Sequence, residues 1–78
     1  PNPFNPNTTI KFDLAKDGHV SLKIYDVLGN QVADLIEEEK TAGKYSVSFS
    51  AGHLSSGVYF YRLVTPTFTD TKKMLLLK

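Results

Sequence analysis

Residues 54–64, with the sequence LSSGVYFYRLV, constrain the fold more than any other part of the chain. After Gly57, nearly every residue is apolar or aromatic, and none is a helix-favouring alanine or glutamate. On the two-residue period of a strand, Val58 and Phe60 share a side with Arg62, and neither side has the polar pattern of a solvent-exposed face. We therefore predict a strand buried on both faces, with Val58 and Phe60 in the core of a small all-β domain.

Length and composition restrict what else the chain can contain. Its 78 residues are 41% hydrophobic and 22% charged, with a net charge of +1. These values are typical of a globular unit, and they indicate neither a disordered tail nor a nucleic-acid binder. The absence of cysteine excludes disulfides and thiolate metal sites, and no apolar run approaches the roughly 18 residues of a membrane helix.

We expect one β-sandwich domain over residues 1–78, with residues 1–7 as a lead-in. Prolines at positions 1, 3 and 6 exclude a helix or a central strand there, and favour a fixed turn anchored by Phe4 over a loose linker. The chain starts at Pro1 and not at methionine, so we expect it to be a piece of a longer protein.

Strict alternation predicts half-buried strands over residues 8–14 and 19–26. The Asp17-Gly18 pair between them is a turn signal, so the two strands are predicted to form a hairpin. After the second strand, Asp26 can cap a type I turn, and Gly29 can take the positive φ of the bulge that follows such a turn. Gly29 is therefore predicted to be a structural residue.

Residues 31–40 are ambiguous. Val32, Leu35 and Ile36 have helical spacing, and the glutamate run that follows has helix propensity, so a helix is the alternative. We favour a short strand over residues 31–36, because the tight turn before it suits an antiparallel hairpin. Residues 37–40 are then predicted to form an acidic, solvated turn that discourages edge-to-edge pairing.

Two segments, Gly43-x-Tyr45 and Gly57-x-Tyr59, share a pattern in which a glycine comes two residues before a tyrosine at the start of a strand. In β-sandwiches a tyrosine at such a place can bury its ring and return its hydroxyl to the backbone of the preceding loop. We predict this tyrosine corner at Tyr59, with Leu54 as the apolar plug under the loop. Gly43 and Tyr45 are predicted to be structural as well.

Residues 68–78 are predicted to form a last long strand. Its consecutive leucines imply that both of its faces are covered. Lys72, Lys73 and Lys78 flank the apolar run, either as gatekeepers against aggregation or as recognition features, and composition leaves both open.

No catalytic constellation is recognisable. His19 and His53 each lie beside a glycine in a predicted turn, and a solvated loop histidine is the simplest interpretation of both. Asp13, Asp17 and Asp26 lack the spacing of a calcium loop, so a calcium site is a minor alternative to their roles in strands and turns. We expect no enzyme activity, no cofactor, and neither a nucleic acid nor a small molecule as ligand.

Five motifs, in order along the whole chain, resemble the C-terminal sorting domain of type IX secretion cargo, type A. They are Pro1-Asn2-Pro3-Phe4-Asn5-Pro6, Tyr25-Asp26-Val27-Leu28-Gly29, Ala42-Gly43-x-Tyr45, Leu54-x-Ser56-Gly57-Val58-Tyr59-Phe60-Tyr61-Arg62-Leu63 and Lys73-Met74-Leu75-Leu76-Leu77-Lys78. The pattern is also similar to the immunoglobulin-like domain of flagellar hook-capping proteins.

The resemblance implies an immunoglobulin-like antiparallel β-sandwich of about seven strands that serves as an address on the end of a secreted protein. Such a cargo domain, covalently attached on the N-terminal side, crosses the periplasm and outer membrane of a Gram-negative bacterium through the type IX translocon. A sortase-like cell-surface protease then commonly removes the sorting domain and joins the cargo to lipopolysaccharide. The resemblance places recognition on Gly57, Val58 and Tyr59, and on the terminal strand, Lys73, Met74, Leu75, Leu76, Leu77 and Lys78.

A rigid body that offers its last strand as an exposed edge could bind its partner by strand addition. The alternative function is a structural or carbohydrate-binding immunoglobulin-like accessory module of a multidomain secreted or hook-cap protein. The sequence leaves the role of Arg62 open: its side chain either reaches the rim of the sheet, acts in recognition, or pairs with Asp70 or Asp26.

Overall fold

The chain folds into two β-sheets that enclose one hydrophobic core. The computed structural model describes residues 2–4 and 7–78 and contains no helix in that part of the chain. Its strands are β1 (Asn2–Phe4), β2 (Asn7–Leu14), β3 (Gly18–Asp26), β4 (Gln31–Lys40), β5 (Gly43–Ser50), β6 (Gly57–Val64) and β7 (Thr69–Leu76). One sheet has the order β1-β7-β6-β3-β4, and the other consists of β2 and β5.

The all-β sandwich prediction is confirmed. The six strands from β2 to β7 pair antiparallel within their sheets. The short β1 differs, because it runs parallel to β7 with Asn2 opposite Met74 and Phe4 opposite Leu76. Part of the proline-rich lead-in is thus an edge strand. Proline is tolerated there because it has no backbone N–H to donate, and the outer edge of such a strand pairs with no further strand. Pro1, Asn5 and Pro6 lie outside the described residues.

The predicted hairpin between residues 8–14 and 19–26 is wrong. β2 pairs with β5, from Asn7 opposite Ser50 to Leu14 opposite Gly43, while β3 lies in the other sheet between β4 and β6. Residues 15–17 therefore carry the chain across the core from one sheet to the other. The Asp17 carboxylate accepts a hydrogen bond from the backbone N–H of Ala42 at 2.8 Å, which ties this crossing to the β4–β5 connection.

β4 is longer than predicted. It continues to Lys40, so residues 37–40 are strand and not an acidic turn, and the helical alternative is not realised. The pairing with β3 shifts register twice, because Leu35 and Val32 have no direct partner opposite them. Such bulges add a residue to one strand. They explain the helical spacing, since Val32 and Leu35 are the two bulge residues and both pack against the core together with the buried Ile36.

The turn between β3 and β4 is organised by Asp26, as predicted. One carboxylate oxygen accepts hydrogen bonds from the backbone N–H groups of Leu28 at 3.0 Å and Asn30 at 2.9 Å. These donors, led by Asn30, favour the ionised form and lower the pKa of the Asp26 carboxyl. Gly29 has φ of +87° and donates its N–H to the Asp26 carbonyl oxygen at 3.1 Å.

Gly29→Val is expected to lower the free energy of unfolding by about 1–3 kcal/mol, because a β-branched residue is strained at this φ. Nothing lies within 4 Å of an added Cβ, so the cost comes from the backbone and not from a clash. Gly52→Val is the matched control, because its added Cβ also meets open space and its φ is not positive. Thermal unfolding checks both variants, and a Gly29→Val midpoint within about a degree of the parent would contradict the expectation.

The core corrects the predicted orientation of β6. Tyr59 and Leu63 face inward and are buried, whereas Val58 and Phe60 are only half-buried on the opposite face of the sheet with the exposed Arg62. The strand is thus buried on one face, because no described segment covers the outer face of the five-stranded sheet. The buried core comprises Ile10, Phe12, Leu14, Val20, Leu22, Ile24, Ile36, Phe49, Ala51, Tyr59, Leu63, Met74 and Leu76.

Candidate recognition surface

The outer surface of the five-stranded sheet carries a mixed apolar and cationic patch along β6 and β7. Antiparallel pairing sets Val58 opposite Leu75, Phe60 opposite Lys73, and Arg62 opposite Thr71. Directly opposed side chains lie about 5 Å apart, so these pairs form one continuous surface. We call Val58, Phe60, Arg62, Lys73 and Leu75 the outer patch.

A depression of about 390 Å³ adjoins the outer patch at the β3–β4 turn. Tyr25, Phe60 and Arg62 are among the residues that line it. Beside it the turn exposes Val27 and Leu28, at 66% and 82% of their surface. In the described part of the chain no ion pair includes Arg62, so neither of its two expected carboxylate partners holds it. Aromatic side chains beside an unpaired guanidinium are typical of protein contact surfaces.

The loop before β6 is fastened by the predicted tyrosine corner. The Tyr59 ring is buried, and its hydroxyl donates a hydrogen bond to the Ser55 carbonyl oxygen at 2.7 Å. Leu54 packs against the core and donates its N–H to the Ala51 carbonyl oxygen at 2.9 Å. Gly57 makes the bend with φ of +154°. This hydrogen bonding holds the loop directly beside the first residues of the outer patch.

The end of the chain is attached to the same loop. The backbone N–H of Lys78 donates to the Ser56 hydroxyl at 3.2 Å, and its ammonium donates to the Gly52 carbonyl oxygen at 2.5 Å. Leu77, just before it, is 49% exposed. Two hydrogen bonds therefore join the loop and the chain end at this end of the sandwich.

The terminal strand is divided between two faces. Met74 and Leu76 point into the core, and Leu76 is fully buried. Lys73 and Leu75 lie on the outer patch, where Leu75 is half-buried. The expectation that both faces of this strand are covered thus holds only for the inner one.

Comparison with known proteins gives a match over almost the entire chain. The family described as the secretion system C-terminal sorting domain matches residues 1–77. The chain belongs to this family. No curated protein matches it. The sorting domain thus has a role as a type IX secretion signal, and the members of its family are non-catalytic. Membership of this family implies export to the cell surface or medium.

The sorting domain repeats its tyrosine corner in β5. The Tyr45 hydroxyl donates to the Thr41 carbonyl oxygen at 2.5 Å, four residues earlier, as Tyr59 does to Ser55. Its ring stacks on Phe12 with centroids 5.3 Å apart, and the Lys40 ammonium lies 4.7 Å from the Tyr45 ring centroid. Gly43 has φ of +153°, close to that of Gly57. The shared sequence pattern thus has a shared geometry.

Sequence reasoning missed an ionic cluster on β3 and β4 of the sorting domain. His19 lies in a strand and not in a turn, with its Nε2 against the Glu37 carboxylate and its Nδ1 3.1 Å from Glu39 Oε2. Lys23 donates to the other Glu37 oxygen at 2.8 Å. Hydrogen bonding to Lys23 and then to His19 lowers the pKa of Glu37 to about 2, and the Glu37 bond raises the pKa of His19.

The two pKa shifts make stability depend on pH in opposite ways, because the Glu37 contribution is lost at low pH and the His19 contribution at high pH. Glu37 stabilises the fold above its ordinary pKa of 4.5, and that contribution is lost as pH falls toward 2. His19 stabilises the fold below its ordinary pKa of 6.5, and that contribution is lost as pH rises through its higher folded value. The cluster therefore makes its full contribution to the stability of the fold between pH 4.5 and pH 6.5.

Glu37→Gln is expected to lower the pKa of His19 toward 6.5, because the largest cause of its raised value is removed. An NMR titration of the His19 ring protons measures the change. Glu38→Gln is the matched control, since Glu38 contacts Lys40 and makes no contact with His19. An unchanged His19 titration in Glu37→Gln would contradict the role given to Glu37.

The calcium alternative gains no support from the structure. Asp13 pairs with Lys44 at 3.6 Å, Asp17 holds the Ala42 amide, and Asp26 organises its own turn. Over the described ranges, 2–4 and 7–78, no three acidic or histidine side chains are grouped so that they could hold a metal ion. The described residues also include no helix long and apolar enough to cross a membrane.

Proposed function

We propose that this domain is the sorting signal that directs a covalently attached cargo protein through the outer-membrane type IX translocon. The observation that carries the proposal is the family match over residues 1–77. The route would take the cargo through the periplasm and outer membrane of a Gram-negative bacterium. A sortase-like protease at the cell surface would then act on the delivered protein. The domain itself supplies recognition and no chemistry.

Within this function, the outer patch is the proposed contact surface for the translocon. Of the residues expected to act in recognition, Val58, Lys73 and Leu75 have side chains on this face. Tyr59, Met74 and Leu76 are buried, so their contribution is to hold the patch in place. The outer patch has an apolar centre with the cationic Arg62 and Lys73 beside it, so it is suited to a partner surface that combines apolar and acidic groups.

Deleting residues 74–78 is a poor test of recognition, because it removes Met74 and Leu76 from the core and would unfold the domain. Substitutions on the patch separate the two effects. Arg62→Leu and Leu75→Glu should change stability by no more than about 0.5–1 kcal/mol, as expected at partly exposed positions. A reporter carrying either variant should nevertheless be exported less than the parent.

The control for these variants is Lys16→Glu, an exposed position in the β2–β3 connection, which should leave both stability and export unchanged. Export is measured as the fraction of reporter found outside the cells, and stability by urea unfolding of the purified domain. Parental export of both patch variants would rule out the outer patch as the contact surface. A large loss of stability in Arg62→Leu would instead give that residue a structural role.

A further inference from the structure

A second surface lies between the two sheets, on the side opposite β4. There a groove of about 540 Å³ is lined by residues 8–11 of β2, residues 71–74 of β7, and Tyr61. Consecutive residues of each strand line the groove, although their side chains point to opposite faces of the sheet. The groove is therefore bordered by the edges of both strands as well as by their faces. It is a different surface from the outer patch, although Lys73 borders both.

Both strands present free edges to this groove. β2 is paired only with β5, so its other edge has no neighbour among the described strands. β7 is paired with β6 along its length, but β1 covers it only at Met74–Leu76, which leaves residues 69–73 open. Free edges present unpaired N–H and C=O groups that template another strand. Four residues on each side span roughly 13 Å at about 3.3 Å per residue.

The floor and the rim of the groove differ in chemistry. Ile10 and Met74 are buried and form an apolar floor, with the partly buried Tyr61 beside them. Lys11 and Lys72 are exposed at the rim. In the part of the chain that the structure describes, no ion pair includes either lysine, whereas Glu37 and Glu38 on the distant β4 have cationic partners. Lys11 and Lys72 thus give the rim a positive charge, and the nearest carboxylate identified beside the groove is that of Asp70, which acts on Tyr61 without forming an ion pair.

We propose that this groove binds an extended acidic segment of a partner polypeptide by strand addition. The free edges would supply backbone hydrogen bonds, which are spaced for a peptide and not for a sugar or a lipid. Because side chains alternate along a strand, the set that faces inward would lie against Ile10 and Met74, and the set that faces outward would lie beside Lys11 and Lys73. The preferred segment is thus about four residues long, with carboxylates and apolar side chains in alternation.

The test uses the 78-residue chain and an acetylated, amidated hexapeptide of alternating glutamate and valine. Its counterpart with lysine in place of glutamate is the peptide control. NMR should show amide shifts concentrated at residues 8–11 and 71–73, and backbone amides of these edges should exchange more slowly with solvent. Shifts without slower exchange would indicate adsorption to the lysines alone and would overturn strand addition.

A pair of charge reversals locates the site. Lys11→Glu is expected to weaken binding of the acidic peptide about fivefold to tenfold, since one attraction becomes a repulsion of similar size. Lys16→Glu makes the same change outside the groove and should leave binding unaltered. Equal binding of both peptides, protection of β4 instead, or an oligogalacturonate that binds as tightly as the acidic peptide would each overturn the proposal. Because binding is measured in vitro, its failure would leave the export result untouched.

Discussion

Leu22→Ala is expected to lower the free energy of unfolding by about 2–5 kcal/mol, a large part of the stability of so small a domain. Leu22 is fully buried on β3, an interior strand of the five-stranded sheet, between Leu63 on β6 and Ile36 on β4. β-sheet neighbours cannot close the cavity without breaking their ladders, so the loss includes a cavity term as well as lost burial.

Leu28→Ala is the matched control, because it makes the same chemical change at a side chain that is 82% exposed. Its effect should stay within about 0.5 kcal/mol. Urea unfolding followed by circular dichroism measures both variants. Similar unfolding free energies for the two would contradict the assignment of Leu22 to the core.

Tyr59→Ala is expected to cost about 3–5 kcal/mol, comparable to the loss of a buried phenylalanine. The ring is 7% exposed, and its hydroxyl fastens Ser55. Tyr59→Phe keeps the ring and removes only the hydrogen bond, so it should cost about 1 kcal/mol. The difference between the two variants separates the contribution of the ring from that of the corner.

Tyr61→Phe supplies the control for the hydroxyl. It makes the same change two residues along β6, where the phenol makes no hydrogen bond within the described residues. Burial raises the pKa of this phenol, with the charge of Asp70 adding to the effect. If Tyr61→Phe cost as much as Tyr59→Phe, the stabilisation could not be assigned to the bond with Ser55.

The tyrosine corner and the Asp26 turn could be predicted because each depends on residues close in sequence. Asp26 and Gly29 form their hydrogen bonds within one turn, and Tyr59 reaches back only four residues. The partner of β2 could not be predicted in this way. Alternation shows which side chains face inward, but it carries no information on which strand lies alongside.

The surface of β6 illustrates a second limit. Val58 and Phe60 are apolar, so sequence alone placed them in a core, yet burial of the outer face depends on a layer that no described segment supplies. The position of Tyr59 could have corrected this, because a tyrosine that faces inward puts its two neighbours on the outside. By the same alternation, Met74 and Leu76 on the terminal strand face the core, whereas Leu75 between them faces outward.

The groove between β2 and β7 was beyond sequence reasoning, because Lys11 and Lys72 are brought together only by the packing of two sheets. The ionic cluster was missed for a related reason. His19 lies opposite Glu39 only because β4 extends to Lys40, and the sequence favoured an end at Ile36. Both features depend on strand length and pairing more than on local pattern.

The most direct test of the proposed function is the location of a reporter protein fused in front of this domain. The fusion, given an ordinary N-terminal signal, is expressed in a bacterium with a type IX secretion system and in an isogenic strain without the translocon. We expect reporter at the cell surface or in the medium of the first strain, and retention in the periplasm of the second. Equal export by both strains, or retention in both, would contradict the assignment of this domain as a type IX sorting signal.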